Sequence, residues 1–215
     1  MRNFHLPGRS AVFATNGMVA TSHPLAASEA LSILKRGGNA MDAAIAGGIL
    51  LGICEPHMTG LGGDCFVLWS DGGSQKVQAL NGSGRAPRVL DAEVLRAAGC
   101  SSVPLGSPHA VTLPGAVDAF CHLSETEGRL GLDTLLAPAI HYADAGVPVA
   151  PRAASDWETD CEVLQGTARK HYLFDGKCPR PGQMFRSPGQ AEVLRRVASQ
   201  GRDAFYTGEI ASDMC

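Results

Sequence analysis

The chain has 215 residues, 45% of them apolar and 18% charged, which is enough for one large domain or two small ones and for a sizeable core. A formal net charge of −3 excludes the basic footprint of a nucleic-acid binder, and the apolar content excludes a disordered chain. The 26 glycines and 13 prolines follow no repeat period, so they signal many tight turns rather than a fibrous repeat.

In chain order, Met18 to Ser22 reads as a short strand after the Asn16-Gly17 turn. Pro24 opens a helix with Ser22 or His23 at its N-cap, apolar positions Ala26, Ala30, Ile33 and Leu34, and Gly37-Gly38 as its stop. Asn39 caps the next helix, and Asp42 stands three residues on, close to a capping box. That helix runs to about Cys54 with Asp42 as its only charge, so it is expected to be buried all round. A Gly-rich loop over 56–64 leads into a strand over 65–70. Asp71-Gly72-Gly73 makes a hairpin turn, and a return strand covers 76–80. A second Gly-rich loop, 81–87, follows. The rest is mostly helical: 91–98, 115–122, 133–144 with Pro138 kinking or restarting it, 153–164 and 191–199. The proline- and glycine-bearing stretch 177–190 is expected to be an irregular loop.

Seven cysteines, at 54, 65, 100, 121, 161, 178 and 215, include no C-x-x-C pair, so zinc and redox motifs are unsupported and reduced thiols are expected. The apolar run 43–54 is too short to span a bilayer. The N-terminal segment beginning Met1-Arg2 lacks an apolar secretory core. A cytoplasmic protein without a membrane partner is expected.

The candidates for chemistry are few. Gly60-Leu61-Gly62-Gly63 follows a helix and precedes a strand, the reverse of a dinucleotide fingerprint, and no P-loop is present. None of the seven histidines, His5 among them, makes a metal-binding pair; His57 stands out because it sits at the mouth of the Gly-rich loop. In Gly82-Ser83-Gly84-Arg85 the glycines permit positive φ or close backbone approach. Arg85 offers a planar fork to a ligand carboxylate or to a neighbouring Asp or Glu. Gly82-Ser83-Gly84 lacks the spacing of a serine nucleophile elbow.

Six segments carry a resemblance to a known family. They are GMVATSHPLAASEALSILKRGGNAMDAAIA (17–46), EPHMTGLGGDCFVL (55–68), LNGSGRAP (80–87), LPGAVDAF (113–120), LLAPAIHYADAGVPV (135–149) and DAFYTGEIA (203–211). In order and spacing they resemble the γ-glutamyltranspeptidases. The resemblance implies an α/β fold, part of the helix-rich α-β-β-α sandwich of the N-terminal-nucleophile hydrolases, made as a zymogen that cuts itself. It implies a place in glutathione metabolism, no cofactor and no metal. The nucleophile would be the N-terminal Thr of a small subunit, with its own α-amino group as base. Backbone N–H groups would stabilise the oxyanion.

No segment of this chain resembles the threonine motif; Thr21, Thr59 and Thr207 lie in segments matching the large subunit, and Thr112 immediately precedes one. Residues 1–215 are therefore expected to be the N-terminal portion of that subunit, with the small subunit as partner and no catalytic residue of their own. Alone, the chain is expected to be inactive. Ser83 stands where the transpeptidases carry the carboxylate-gripping Arg, and Arg85 is displaced by two. Asp64-Cys65 replaces Gly. Both departures resemble the branch that includes oxamate amidohydrolase. The expected substrate contacts are Arg85, Ser83 and Gly84. The expected reaction is acyl transfer from a carboxylate-bearing amide or γ-glutamyl donor to water or an amine. The alternatives are hydrolysis of a small amide such as oxamate and a non-catalytic carboxylate-binding remnant.

Overall fold

The computed structural model describes residues 11–215; Met1, Arg2 and His5 lie outside them. The first helix, α1, is Pro24–Lys35, with His23 as the N-cap whose ring accepts the Leu25 N–H. The second, α2, is Ala40–Cys54. Its capping box is closed on both sides: the Asp42 N–H donates to Asn39 Oδ1 at 3.0 Å and the Asn39 N–H to Asp42 Oδ2 at 2.9 Å. Most of α2 is buried, Met41, Ile45, Leu50 and Ile53 among them, but Ala40, Ala44, Gly48 and Leu51 form a stripe that stays exposed or half-buried, so the expectation of burial all round holds for all but one face. Its small residues admit α1 closely; a Cβ on Gly47 would stand 3.3 Å from that of Ala30.

Helices α4 (Ala116–Thr126) and α5 (Leu132–Ala145) pack on α2, and α8 (Pro188–Gln200) packs on α5; together they close one core through Val117, Cys121, Leu135, Leu136, Leu194 and Val197. Helix α3 (Ala92–Ala97) buries nothing. The short α9 (Asp203–Tyr206) adds Phe205 to the core, and α10 (Gly208–Met214) follows. A second, smaller cluster holds Val149, Trp157, Cys161, Leu173 and Phe185, carried by α6 (Pro151–Trp157), α7 (Gly166–Tyr172) and the paired strands β3 (Val147–Pro148) and β4 (Met184–Phe185).

The hairpin pairs β1 (Cys65–Trp69) with β2 (Gln78–Gly82), Cys65 opposite Gly82 and Trp69 opposite Gln78. Val67, Trp69 and Leu80 pack against the main core. On the other face Phe66 and Leu68 are 69% and 76% exposed.

Several expectations are corrected. Residues 18–22 form no strand among the described residues, because they lie beside α1 and α2 with no strand alongside to complete a ladder. The return strand begins at Gln78 and runs into the second Gly-rich loop, so the hairpin connection is longer than a tight turn. Pro138 neither restarts nor ends α5, which is one helix with Leu135, Leu136 and Ala139 fully packed around it; tertiary packing outweighs one lost backbone bond. The helix expected over 153–164 stops at Trp157, where Thr159 turns its N–H and its hydroxyl back onto the Asp156 carbonyl. The 177–190 stretch contains β4, and α8 starts at Pro188, whose fixed φ suits a first helical position. Helix α4 runs four residues beyond its expected end at His122. The reduced-thiol reading fails at one pair: Cys161 and Cys178 are joined by a disulfide, which ties the second cluster to the strand-bearing loop. Cys54, Cys65, Cys100, Cys121 and Cys215 are free thiols.

Candidate functional site

Three chain segments with little side-chain bulk converge at the open end of the hairpin: residues 60–64, 82–85 and 113–116. The hydrogen bonds that join them come mainly from backbone. Gly63 O accepts the N–H of both Gly115 and Ala116 at 3.0 Å, and the Leu113 N–H donates to Arg85 O at 3.0 Å. The one side chain in the set is Asp64, whose Oδ1 accepts the Gly84 N–H at 2.9 Å. Asn81 Oδ1 accepts the Ser83 N–H at 2.9 Å and turns the loop within two residues.

The glycines are required by close approach rather than by positive φ. A Cβ on Gly84 would lie 1.5 Å from Leu113 O, and one on Gly115 would lie 2.1 Å from Gly82 O. Backbone therefore packs on backbone, and the loop's direction is set before any side chain is placed.

Ser83 and Arg85 project from this base into solvent. Arg85 makes no ion pair among the described residues, so the neighbouring-carboxylate alternative is not the one the structure displays. An unpaired guanidinium on a fixed loop, beside a serine hydroxyl, is equipped to hold a carboxylate through charge-assisted bonds.

The start of α4 forms the rear of the cluster and is clamped from a distance. The Tyr206 hydroxyl donates to Pro114 O at 2.7 Å and accepts the Asp118 N–H at 3.0 Å. Arg202 covers the Tyr206 ring at 4.6 Å and pairs with Asp118. Tyr206 thus stands in for the N-cap side chain that Gly115 lacks. Tyr206 is not among the residues the sequence singles out, its one signal being its place inside the matching segment 203–211; Asp64 is singled out only as a departure from the family's Gly, with no role attached.

His57 is not part of the Ser83 to Arg85 loop. Its ring lies on the second cluster, stacked on Trp157 with centroids 5.8 Å apart. Burial holds its pKa below the ordinary value, against the pull of Asp156, Glu55 and Asp160. A groove of about 370 Å³ opens on the other side of the Gly-rich loop, between Thr59, Leu61, Gln190, Val193, Phe205 and Ile210; none of Ser83, Gly84 and Arg85 lines it.

The family model described as Gamma-glutamyltranspeptidase matches residues 26–215. The glutathione hydrolase-like YwrD proenzyme of Bacillus subtilis is 39% identical over 203 residues, covering 93% of this chain and 38% of that protein. The oxamate amidohydrolase proenzyme of Klebsiella pneumoniae is 37% identical over 205 residues, covering 92% of this chain and 38% of that protein. Among solved structures, cephalosporin acylase from Bacillus halodurans is 41% identical with a TM-score of 0.88 over 99% of this chain and 41% of its own. The γ-glutamyltranspeptidase of Helicobacter pylori is 25% identical with a TM-score of 0.85, over 95% of this chain and 60% of its own. The chain spans under two fifths of the length of these curated relatives. The helix-rich α/β arrangement is thus that of solved γ-glutamyltranspeptidase and acylase structures.

Proposed function

Because the chain belongs to the gamma-glutamyltranspeptidase family, we propose that it is the large-subunit portion of an amide hydrolase or acyltransferase, and that its task is to hold the carboxylate of the donor. The observation that carries this reading is the Gly82 to Arg85 loop, whose backbone is fixed by Asp64 and Leu113 while Arg85 projects without an ion partner among the described residues. The acyl group would pass to an N-terminal Thr on a small subunit and from there to water or an amine. That small subunit is the proposed partner, supported by the proenzyme names of the relatives.

For the donor, a small amide such as oxamate is a second reading, favoured by Ser83 in the place of the transpeptidase Arg and by the likeness to the oxamate amidohydrolase proenzyme. A panel of γ-glutamyl amides, glutathione and oxamate, assayed with the precursor that carries this chain and a downstream threonine segment, separates the two. Turnover of γ-glutamyl donors places the protein in glutathione metabolism; turnover of oxamate alone assigns the second reading. Binding without turnover of any donor leaves the carboxylate-binding remnant.

Among the described residues no helix is long and apolar enough to cross a membrane. A cytoplasmic setting is supported by the five free thiols and opposed by the Cys161–Cys178 bond. Titrating the thiols of protein taken directly from cells decides between them.

A further inference from the structure

We infer that His57, in its neutral form, is a positioning residue that pins the Gly-rich loop to the disulfide-held second cluster and thereby fixes Asp64 and the Ser83 to Arg85 loop. The His57 side chain is only 2% exposed. Its ring lies nearly parallel to Trp157, at an interplanar angle of 24°. The wall behind it is rigid. Trp157 is wedged edge-on against Phe185 at 5.1 Å and tilted against Tyr172 at 6.3 Å, and the Cys161–Cys178 bond closes the segment that carries Tyr172.

On the other side, little slack separates His57 from Asp64. Met58 and Thr59 both donate to Glu55 O, forming one turn. A Cβ on Gly52 would meet Gly60 Cα at 3.3 Å, so the loop lies on the last turn of α2. Gly63 donates to Gly60 O, forming a second turn that delivers Gly63 O to α4 and Asp64 to the Gly84 N–H. Two consecutive turns therefore connect the buried ring to the one side chain that grips the Arg85 loop.

The surroundings favour a neutral ring. The charged groups facing His57 are Glu55 on its own segment and Arg152, Asp156 and Asp160 from α6 and the turn after it. Nε2 stands 4.0 Å from Asp156 Oδ2, but that oxygen already accepts from Arg152 Nε at 2.5 Å. Nδ1 is buried with no hydrogen-bond partner among the described residues. An imidazolium here would carry a second buried N–H without an acceptor, a cost the neutral ring avoids through its free lone pair. Burial lowers the His57 pKa accordingly. Acidification is thus expected to drive the ring off Trp157 and release the loop.

The consequence for turnover rests on the carboxylate reading of the Arg85 loop, but the mechanical coupling does not. Amide exchange read by mass spectrometry on peptides covering 55–66 and 80–86 tests it, from about pH 8 to about pH 5, either side of the ordinary His value, with intrinsic rates divided out. In His57→Ala the 80–86 peptide should exchange about tenfold faster, the effect of a local opening made easier by about 1.4 kcal/mol, while α5 and α8 peptides stay protected. His57→Phe, which keeps the stack without a proton, should restore protection and flatten its pH dependence. Equal exchange at 80–86 in His57→Ala and the parent overturns the inference. So does a His57→Phe variant that exchanges like His57→Ala or keeps the parent's pH dependence; this comparison holds even where His57→Ala unfolds. An Arg85→Ala variant with unchanged donor KM in a protein that passes the exchange test overturns the carboxylate reading and leaves the pin standing.

Discussion

Both carboxylate oxygens of Asp42 accept the backbone N–H of Arg129, each at 3.1 Å, across 87 residues of sequence. The same side chain takes the Leu130 N–H at 3.3 Å and the Asn39 N–H at 2.9 Å, and Asn39 in turn donates its amide to Glu127 O at 2.6 Å. One fully buried carboxylate therefore caps α2 and also fixes the passage from α4 to α5. Gly128 lies so close that a Cβ there would meet Asp42 Oδ1 at 2.8 Å.

Asp42→Ala should accordingly cost more than a lost N-cap. Capping alone is worth about 0.5–2 kcal/mol. Here the half-buried bonds from the Arg129 and Leu130 N–H groups also lose their charged acceptor, at about 1.5–3 kcal/mol per bond. A loss of about 3–5 kcal/mol in urea unfolding is expected. A loss under about 1 kcal/mol would show that the loop re-forms its bonds elsewhere.

Gly84→Ala and Gly62→Ala make a matched pair within the two Gly-rich loops. The added methyl at Gly84 would overlap Leu113 O at 1.5 Å, whereas the one at Gly62 meets nothing within 4 Å among the described residues. Gly84→Ala should break the Leu113 to Arg85 bond and lower stability by about 2–3 kcal/mol, while Gly62→Ala should stay within about 0.5 kcal/mol of the parent. Equal denaturation midpoints for the two variants would contradict the close approach at Gly84.

Arg85→Ala tests the proposed donor contact. The side chain is exposed and has no ion pair among the described residues, so its removal should leave the melting temperature unchanged. A charge-assisted pair worth about 1.5–3 kcal/mol corresponds to a rise in KM of about 10–150-fold, confined to carboxylate-bearing donors. Steady-state kinetics on such donors beside a neutral amide give the answer; a uniform change across both, or none, removes Arg85 from the site.

What the sequence made legible was local. Pro24 and the Asn39 to Asp42 pair announce the starts of α1 and α2 because a cap acts within one turn. The strand expected over 65–70 showed as a short apolar run between a Gly-rich loop and the Asp71-Gly72-Gly73 turn. The 18–22 strand was misread because apolar, β-prone residues form a strand only beside a partner. The Asp64 bond to the Gly84 N–H, 20 residues on, leaves no periodic trace, since any loop amide can take such a bond. The Cys161–Cys178 bond was hidden for a similar reason: a spacing of 17 residues suits many arrangements, and only the packing around Trp157 brings the two sulfurs together. Ser83, Gly84 and Arg85 are proposed from their loop's composition and its resemblance to a family motif, while the clamp of Tyr206 on Pro114 depends on the fold of the whole chain.

Acid should weaken the fold through His23. The residue is 5% exposed, its Nδ1 accepts the Leu25 N–H at 3.2 Å as the cap of α1, and its Nε2 has no partner among the described residues. Accepting at Nδ1 requires the neutral ring, and burial holds the pKa below the ordinary 6.5 although Glu55, close by, pulls it up. A histidine with a lowered folded-state pKa binds its proton more readily when unfolded. Its stabilising effect is therefore complete above about pH 6.5, and it is lost as pH falls from there through the lower folded-state value. Melting temperature should decline across that window. His23→Asn keeps a side-chain acceptor at the cap but cannot titrate, so it should flatten the acid limb while preserving the melting temperature near pH 8. An acid limb as steep in His23→Asn as in the parent would assign the sensitivity to other groups, His57 first among them.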